Sequence, residues 1–222
     1  RVIVLGRVWR DFIADRVPEA RDRIVILPNA TAAIAPTAPR PDAEGPVLLF
    51  LGRVGARKGV PELVEALDRI SGIEGWRAVI AGDGDVAETR ERIAALGLAA
   101  RVTVPGWVGP EEARALLASS DILVLPSFDE NLPMSVIEGM SAGLAVVATP
   151  VGAVEDIIRD GDTGLLVPPG DPASLAEALR KLVQDPQLRR KLGRAAQNYH
   201  RRHLDMAPYM ARLTAIWTEA LI

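Results

Sequence analysis

Two acidic side chains, Glu130 and Glu138, are separated by seven intervening residues in the segment Asp129–Gly143. The short apolar run Ile122–Leu125 comes just before them and predicts a buried strand, whose carboxyl end would open into a crevice. Pro133 suits the first turn of a helix, because the N–H that proline lacks would have no partner there. We therefore expect Glu130 at the mouth of the crevice and Glu138 on the second helical turn, within reach of one ligand. The free amides of Asn131 and Leu132 just before Pro133 could face an anion.

A second segment, Gly52 to Gly59, is rich in glycine and basic residues. It follows an apolar strand pattern over Val47–Leu51 and precedes a helical pattern that starts near Pro61. Glycines let the backbone approach a ligand closely, while Arg53 offers a planar fork of donors and Lys58 a compact charge, both suited to a diphosphate. The Walker loop and the Gly-x-Gly-x-x-Gly dinucleotide pattern are both absent.

These two motifs, Gly-Arg-x(4)-Lys-Gly after a strand and Glu-x(7)-Glu further along, resemble the donor-domain signature of the retaining glycosyltransferases of family 4. Three more segments resemble that family: the interdomain segment Ile26–Ala30, the turn Ala81–Gly84 and the late strand segment Gly161–Val167. The resemblance covers roughly residues 24 to 204. The chain departs from the family pattern where Ala30 and Asn131 stand in place of a frequent glycine.

The resemblance implies a role for each charged residue. Arg53 and Lys58 would neutralise the diphosphate of a nucleoside diphosphate sugar, Glu138 would accept hydrogen bonds from ribose hydroxyls, and Glu130 would contact the transferred sugar. The implied reaction retains the anomeric configuration and needs no metal or other cofactor. Zero cysteines and only two histidines fit that expectation.

Each of these residues also has an ordinary structural interpretation. Glu138 alone would be a solvated or salt-bridged helix residue, Glu130 alone would complement a helix dipole, and Arg53 with Lys58 could form a simple basic turn. Their order, each after a strand, favours the functional interpretation. Asp83 is as well explained as a turn former, and Trp107 as a packed core or rim aromatic. The remaining candidate donor-binding residues are Asn131, Leu132, Gly52, Gly82, Asp83, Gly84, Trp107 and Val108.

Composition describes an ordinary enzyme domain of 222 residues, 49% hydrophobic and 25% charged, with a formal net charge of −3. That balance argues against a broad nucleic-acid surface, and the lack of cysteine excludes disulfides and a thiol nucleophile. No apolar run approaches the roughly 20 residues of a membrane span, and no signal peptide begins the chain. We expect a cytoplasmic protein. The basic helix predicted over Gln187–His203 could touch acidic lipid, but its thin apolar side favours a solvated face.

Alternating strand and helix patterns predict an α/β fold, a Rossmann-like parallel sheet with helices on both faces, and the resemblance implies the C-terminal half of a GT-B glycosyltransferase. The six predicted strands are Val47–Leu51, Arg77–Ala81, Val102–Pro105, Ile122–Leu125, Ala145–Ala148 and Gly164–Val167. A strand-helix-strand pattern, with strands over Val2–Leu5 and Ile24–Leu27 and a helix over Val8–Ala14, is interpreted, over residues 1–28, as the remnant of an N-terminal acceptor domain. Residues 29–204 form the donor-binding domain, starting with a Pro- and Ala-rich linker over 29–46, and residues 205–222 form a C-terminal crossover helix.

Three classes of function remain open. The first is the donor half of a retaining glycosyltransferase, whose acceptor is held by its own N-terminal domain, so that the 222 residues alone would transfer negligibly. The second is a sugar-nucleotide epimerase or a glycan phosphorylase of the same two-domain plan, although no motif marks the pyridoxal-phosphate lysine that a phosphorylase needs. The third is a catalytically silent nucleotide-sugar-binding module.

Overall fold

The computed structural model describes residues 1–34 and 45–220. A small sheet comes first, in which β1 (Val2–Val4) and β2 (Ile24–Ile26) pair in parallel. They are joined by α1 (Arg7–Arg16) and a 3-10 turn over Pro18–Arg23. Both strands and the helix agree with the sequence prediction to within two residues at each end.

The main sheet has six parallel strands in the spatial order β5-β4-β3-β6-β7-β8. Their bounds are β3 Val47–Leu51, β4 Arg77–Ala81, β5 Val102–Gly106, β6 Ile122–Leu125, β7 Ala145–Ala148 and β8 Leu165–Leu166. Four strands match the predicted bounds, and β5 is one residue longer. The last strand is shorter than predicted because Gly164 instead closes a turn, accepting from the backbone N–H of Gly161 at 2.8 Å.

Eight helices accompany this sheet among the described residues. They are α2 Val60–Arg69, α3 Val86–Ala95, α4 Pro110–Ser119, α5 Met134–Ala142, α6 Val154–Ile157, α7 Pro172–Gln184, α8 Pro186–His203 and α9 Met206–Ala220. Helix α2 packs against α7, and α5 packs against α8. The apolar stripes of α2 and α7 are buried, as helical periodicity requires. Those residues are Leu63, Val64, Leu67, Ile70, Leu175, Ala178, Leu179, Leu182 and Val183.

The basic helix α8 differs from its prediction at one position. Arg189 does not lie on a solvated face but is buried, and its guanidinium donates to the backbone carbonyl of Leu182 at 2.5 Å. It therefore satisfies a carbonyl in the last turn of α7, where the carbonyl groups have no N–H donors within the helix. None of the helices in the described ranges is both long and apolar enough to cross a membrane.

The segment 29–34 is fixed to α5 and α8 rather than free. The backbone N–H of Thr31 donates to the carbonyl of Leu204 at 3.0 Å, and that of Ile34 donates to Ser141 Oγ at 2.8 Å. The predicted linker continues over residues 35–44, which lie outside the described residues. The division into an acceptor remnant, a donor domain and a crossover helix stays a prediction.

A buried histidine on α8 completes this attachment. His200 is fully buried, and its Nε2 lies 2.9 Å from Thr31 Oγ1. Its Nδ1 is buried without a hydrogen-bond partner among the described residues. Burial lowers the pKa of His200 below its ordinary value, against the opposing influence of the nearby Asp205 carboxylate. The fold therefore requires a neutral imidazole at this position.

We predict that acid destabilises the fold through His200. Its pKa is lower when folded than when unfolded, so its stabilising contribution is complete above the unfolded value of about 6.5 and is lost as the pH falls through the folded value. In His200→Gln this contribution is absent, so the free energy of unfolding should fall less between pH 7.5 and pH 5 than it does in the wild type. Urea denaturation, monitored by circular dichroism, measures the free energy of unfolding at each pH.

The matched control is His203→Gln, because His203 is the exposed histidine of the same helix. This variant should keep the pH dependence of the wild type. An unchanged pH dependence in His200→Gln would contradict the requirement for a neutral His200.

Candidate functional site

The two segments singled out by sequence leave neighbouring strands. The loop Gly52–Gly59 follows β3 and the loop Pro126–Pro133 follows β6, and these strands pair through Leu48 with Ile122. The strand order reverses between β3 and β6, since the chain runs outward to β5 before it returns. Ligands of open parallel sheets bind at the carboxyl ends of the strands beside such a reversal.

Direct backbone contacts hold the two loops together. The N–H of Phe128 donates to the carbonyl of Arg57 at 2.9 Å. Gly59 has a φ of +69°, and a Cβ atom built on it would lie 2.0 Å from the carbonyl oxygen of Pro126. Any other residue would push the loops apart, so Gly59 is what lets the basic loop pack against the acidic one.

The first acidic residue is bound to the basic loop. Lys58 Nζ lies 2.5 Å from Glu130 Oε1, and their side chains are 16% and 8% exposed. The hydroxyl of the buried Ser127 also donates to Glu130 Oε1, at 2.7 Å. Glu130 was expected at the mouth of the crevice. Its side chain is instead nearly buried, because Ser127 and Lys58 hold its carboxylate inward.

The third side of the site comes from the turn after β4. The backbone N–H of Val54 donates to the carbonyl of Asp83 at 2.6 Å, and Gly84 forms an isolated parallel β-bridge with Val54. A Cβ atom on Gly82 would lie 1.7 Å from the carbonyl oxygen of Gly52. This turn is therefore packed backbone against backbone on the loop that carries Arg53, and it fixes where that loop runs.

These three segments, with α5 and the start of α4, enclose a cavity of about 520 Å³. Ten of the twelve residues predicted from the sequence line it: Arg53, Lys58, Glu130, Glu138, Leu132, Gly52, Gly82, Asp83, Trp107 and Val108. Asn131 and Gly84 do not. The carbonyl of Asn131 instead accepts from the N–H of Ala153 at 2.8 Å, which braces the loop from the side of α6.

Sequence reasoning missed six lining residues: Leu51, Ala81, Ala113, Pro133, Met134 and Ser135. Two of them begin α5. Pro133 is the residue before the helix rather than its first turn, and no side chain caps this end. The first backbone N–H of this helix end that has a backbone acceptor is that of Ile137, which donates to the carbonyl of Pro133 at 3.4 Å. The amides of Met134 and Ser135 therefore have no acceptor within the helix, as at any helix start, and the helix dipole favours an anion there.

Glu138 lies in a different electrostatic environment from Glu130. Its side chain is half-buried on the cavity wall and has no hydrogen-bond or ion-pair partner in the described part of the chain. Burial raises the pKa of Glu138 above its ordinary value, and the positive charge of Arg114 opposes the rise. A desolvated acceptor without a donor is suited to a ligand that brings hydroxyl groups.

Trp107 is not packed in the core, since 73% of it is exposed at the rim of the cavity next to Val108. This exposure excludes a place in the core, while a rim aromatic and a base-stacking residue both stay open as interpretations. Asp83 both faces the cavity and forms the turn, so its two interpretations are compatible.

The expectation that no Asp-x-Asp pair lies near the site is wrong, because Asp83 and Asp85 form such a pattern beside the cavity, of the kind that can bind a divalent ion. Only Asp83 of the two lines the cavity. Within residues 1–34 and 45–220, no group of three His, Cys, Asp or Glu side chains is arranged to hold a metal ion.

A separate cavity of about 350 Å³ lies between the small sheet and helices α8 and α9, beside an ion pair of Arg7 with Asp156 at 2.5 Å. It contains none of the candidate residues. The arrangement that can act on a ligand with both phosphate and hydroxyl groups is the larger cavity at the reversal of the strand order.

A family model described as glycosyl transferases group 1 matches residues 35–199. The alpha-D-kanosaminyltransferase of Streptomyces kanamyceticus is 35% identical over 153 residues, 68% of this chain and 40% of that protein. The 2-deoxystreptamine N-acetyl-D-glucosaminyltransferase of Streptomyces fradiae is 33% identical over 211 residues, 88% of this chain and 50% of that protein. The chain thus spans half or less of the length of these two relatives.

Among solved structures, the Anabaena protein HepE in complex with UDP and glucose superposes with a TM-score of 0.86. The match covers 98% of this chain and 63% of that chain at 20% sequence identity. This likeness shows a shared fold, the Rossmann-like C-terminal half of the GT-B architecture.

We predict that Lys58→Met destabilises the protein by about 1–3 kcal/mol, because it leaves a mostly buried carboxylate without its cation. The double variant Lys58→Met/Glu130→Gln should recover most of that loss, since it removes both charges. The free energy of unfolding in urea, taken through the complete double-mutant cycle, measures the coupling.

Arg57→Met is the control, because Arg57 forms an exposed pair with Asp129 at 3.8 Å on the same loop. It should change the free energy of unfolding by no more than about 0.5 kcal/mol. If the double variant were as unstable as Lys58→Met, the broken ion pair would not be the cause of the lost stability.

Proposed function

Because the chain belongs to the group 1 glycosyl transferases, we propose that its large cavity binds a nucleoside diphosphate sugar as the donor for transfer of the sugar to an acceptor. The observation that carries the proposal is the meeting of two kinds of groups on one cavity. Arg53, Lys58 and the start of α5 provide positive charge and N–H donors. Glu138 provides an unpartnered acceptor about one helical turn away.

The diphosphate would bind between Arg53 and the start of α5. Arg53 is exposed and has no hydrogen-bond or ion-pair partner among the described residues, so its guanidinium is available to an anion. The amides of Met134 and Ser135 point out of the same helix end. Lys58 already contacts Glu130, so it would be shared between this carboxylate and the phosphate. Glu138 would then accept hydrogen bonds from the ribose hydroxyls.

This arrangement favours the breaking of the bond between the sugar and the diphosphate. As the bond to the anomeric carbon lengthens, negative charge collects on the leaving diphosphate and positive charge on the sugar ring. Arg53, Lys58 and the α5 amides interact more strongly with that growing negative charge than with the intact donor, so they lower the barrier. Glu130 lies against Lys58, and in this proposal it would contact the hydroxyls of the transferred sugar.

We propose that the reaction retains the anomeric configuration and that it needs no metal. The pairing of two cations with an uncapped helix start supports the second point, since these groups together offset the charge that a divalent ion would otherwise neutralise. Retention of the anomeric configuration is supported by the sequence motifs Gly-Arg-x(4)-Lys-Gly and Glu-x(7)-Glu.

The acceptor belongs, in this proposal, to a second domain of the whole enzyme, and the two relatives are at least twice the length of the matched region, which leaves room for one. Transfer requires the acceptor hydroxyl to be held against the donor sugar. Residues 1–222 alone would therefore bind the donor and transfer it negligibly. A catalytically silent binding module is the second candidate, and it would stay inactive even with the acceptor domain restored.

We predict that a nucleotide sugar raises the melting temperature of the protein by mass action. HepE was solved with UDP and glucose, which supports UDP-glucose as the first donor to test, followed by UDP-N-acetylglucosamine, GDP-mannose and ADP-glucose. Arg53→Ala and Glu138→Ala should each weaken binding by about tenfold or more, as expected for the loss of a hydrogen bond to a charged group. Thermal shift and calorimetry measure both effects.

Arg57→Ala is the matched control, because Arg57 lies in the same loop but outside the cavity. It should bind the donor as the wild type does. Equal binding by the wild type, Arg53→Ala and Glu138→Ala would place the donor elsewhere. Product analysis of the full-length enzyme separates transfer from epimerisation, and donor binding without any product would favour the silent module.

A further inference from the structure

A side cavity of about 180 Å³ adjoins the donor cavity. The two share Ala113 on α4 and Glu138 on α5. The rest of the side cavity is formed by Thr31, Ala32 and Ile34 from the segment before the described gap and by Pro110, Arg114 and Leu117 from α4. Glu138 therefore faces the donor cavity on one side and Arg114 on the other.

Arg114 is a charged residue that the known motifs do not include. Its side chain is exposed and has no hydrogen-bond or ion-pair partner among the described residues. No ion pair within 4.0 Å joins it to Glu138, so it acts on that carboxylate through space, across the side cavity. An arginine stays protonated at every pH at which the protein is folded, so its field on Glu138 is constant.

The other charges near Glu138 are already balanced or lie across the donor cavity. Lys58 is paired with Glu130, while Arg53 and Asp83 line the donor cavity. Strands β6 and β7, which pack on α5, consist of apolar residues only. Helix α8 donates to the backbone of α5 through Gln197, an uncharged amide. The segment 31–34 carries no ionisable side chain.

We propose that Arg114 is a positioning residue, which keeps Glu138 as a carboxylate facing the donor ribose and so extends donor binding toward acidic pH. The inference rests on the proposed function. A carboxylate accepts two hydroxyl hydrogen bonds, and bonds to an ionised acceptor are about twice as strong as neutral ones, whereas a protonated carboxyl loses one acceptor site. Burial pushes Glu138 toward the protonated form by raising its pKa, and Arg114 is the charge that counteracts it.

The test is the dissociation constant of the preferred nucleotide sugar, measured by calorimetry from pH 5 to pH 8. Arg114→Met keeps the length of the side chain and removes its charge, and Arg114→Lys keeps the charge. At pH 8 all three proteins should bind alike. At pH 5 Arg114→Met should bind about two- to fivefold more weakly than the wild type, the range expected for a solvent-screened charge, and Arg114→Lys should bind like the wild type.

Two controls separate this role from a structural one. Arg92→Met removes an exposed arginine that lies outside both cavities and should leave the pH profile unchanged. In a Glu138→Gln background, which has no carboxylate to protect, Arg114→Met should have no effect at any pH.

The possible failures are distinguishable. If the wild type binds the donor and the Arg114→Met profile superposes on it, the inference is overturned while the proposed function stands. Weaker binding of Arg114→Met by the same factor at every pH, without recovery in Arg114→Lys, would also overturn it, because that is the effect of disturbed packing. If the wild type binds no nucleotide sugar of the panel at any pH, the proposed function fails and this inference fails with it.

Discussion

The adjacency of β3 and β6 is the constraint on which the site depends. Because the loops that follow these two strands leave the sheet side by side, Lys58 lies within ion-pair distance of Glu130, a residue 72 positions further along the chain. The contact follows from topology, since a chain that runs outward from β3 to β5 and then returns must lay β6 against the free side of β3. The two loops then leave the same edge of the sheet in the same direction, and Gly59 lets them pack together.

This adjacency gives the two acidic residues opposite environments. Glu130 is enclosed and balanced by Lys58 and Ser127, so its charge belongs to the internal structure of the site. Glu138 has no such partner among the described residues, and its burial raises its pKa. Because Lys58 is already paired, Arg53 and the start of α5 remain the free attraction for an anion. The proposed donor would thus meet positive charge on one side of the cavity and an unpartnered carboxyl group on the other.

Sequence predicted the sheet well because burial on both faces makes each central strand an apolar run, and four strands agree residue for residue with the prediction. It also predicted which loops meet, because parallel strands end at one edge. It could not predict which way a loop side chain points, since that depends on contacts with loops far away in sequence. The inward turn of Glu130 required Ser127 and Lys58, and the burial of Arg189 required the end of α7. The free amides of the helix start were expected at Asn131 and Leu132 instead of Met134 and Ser135, because Pro133 was assigned to the first turn of α5, whereas it precedes the helix.

The segment 29–34 connects the stability of the fold to the environment of the site. Thr31 touches His200 through its hydroxyl group and also lines the side cavity that Arg114 and Glu138 share. His200 must be neutral to stay buried, and Glu138 must be ionised to accept from two hydroxyls. Acid acts against both conditions, because the pKa of His200 is lowered by burial and that of Glu138 is raised by it. A loss of donor binding below neutral pH therefore has two physical origins, and only the unfolding free energy without ligand separates a loosened segment from a protonated Glu138.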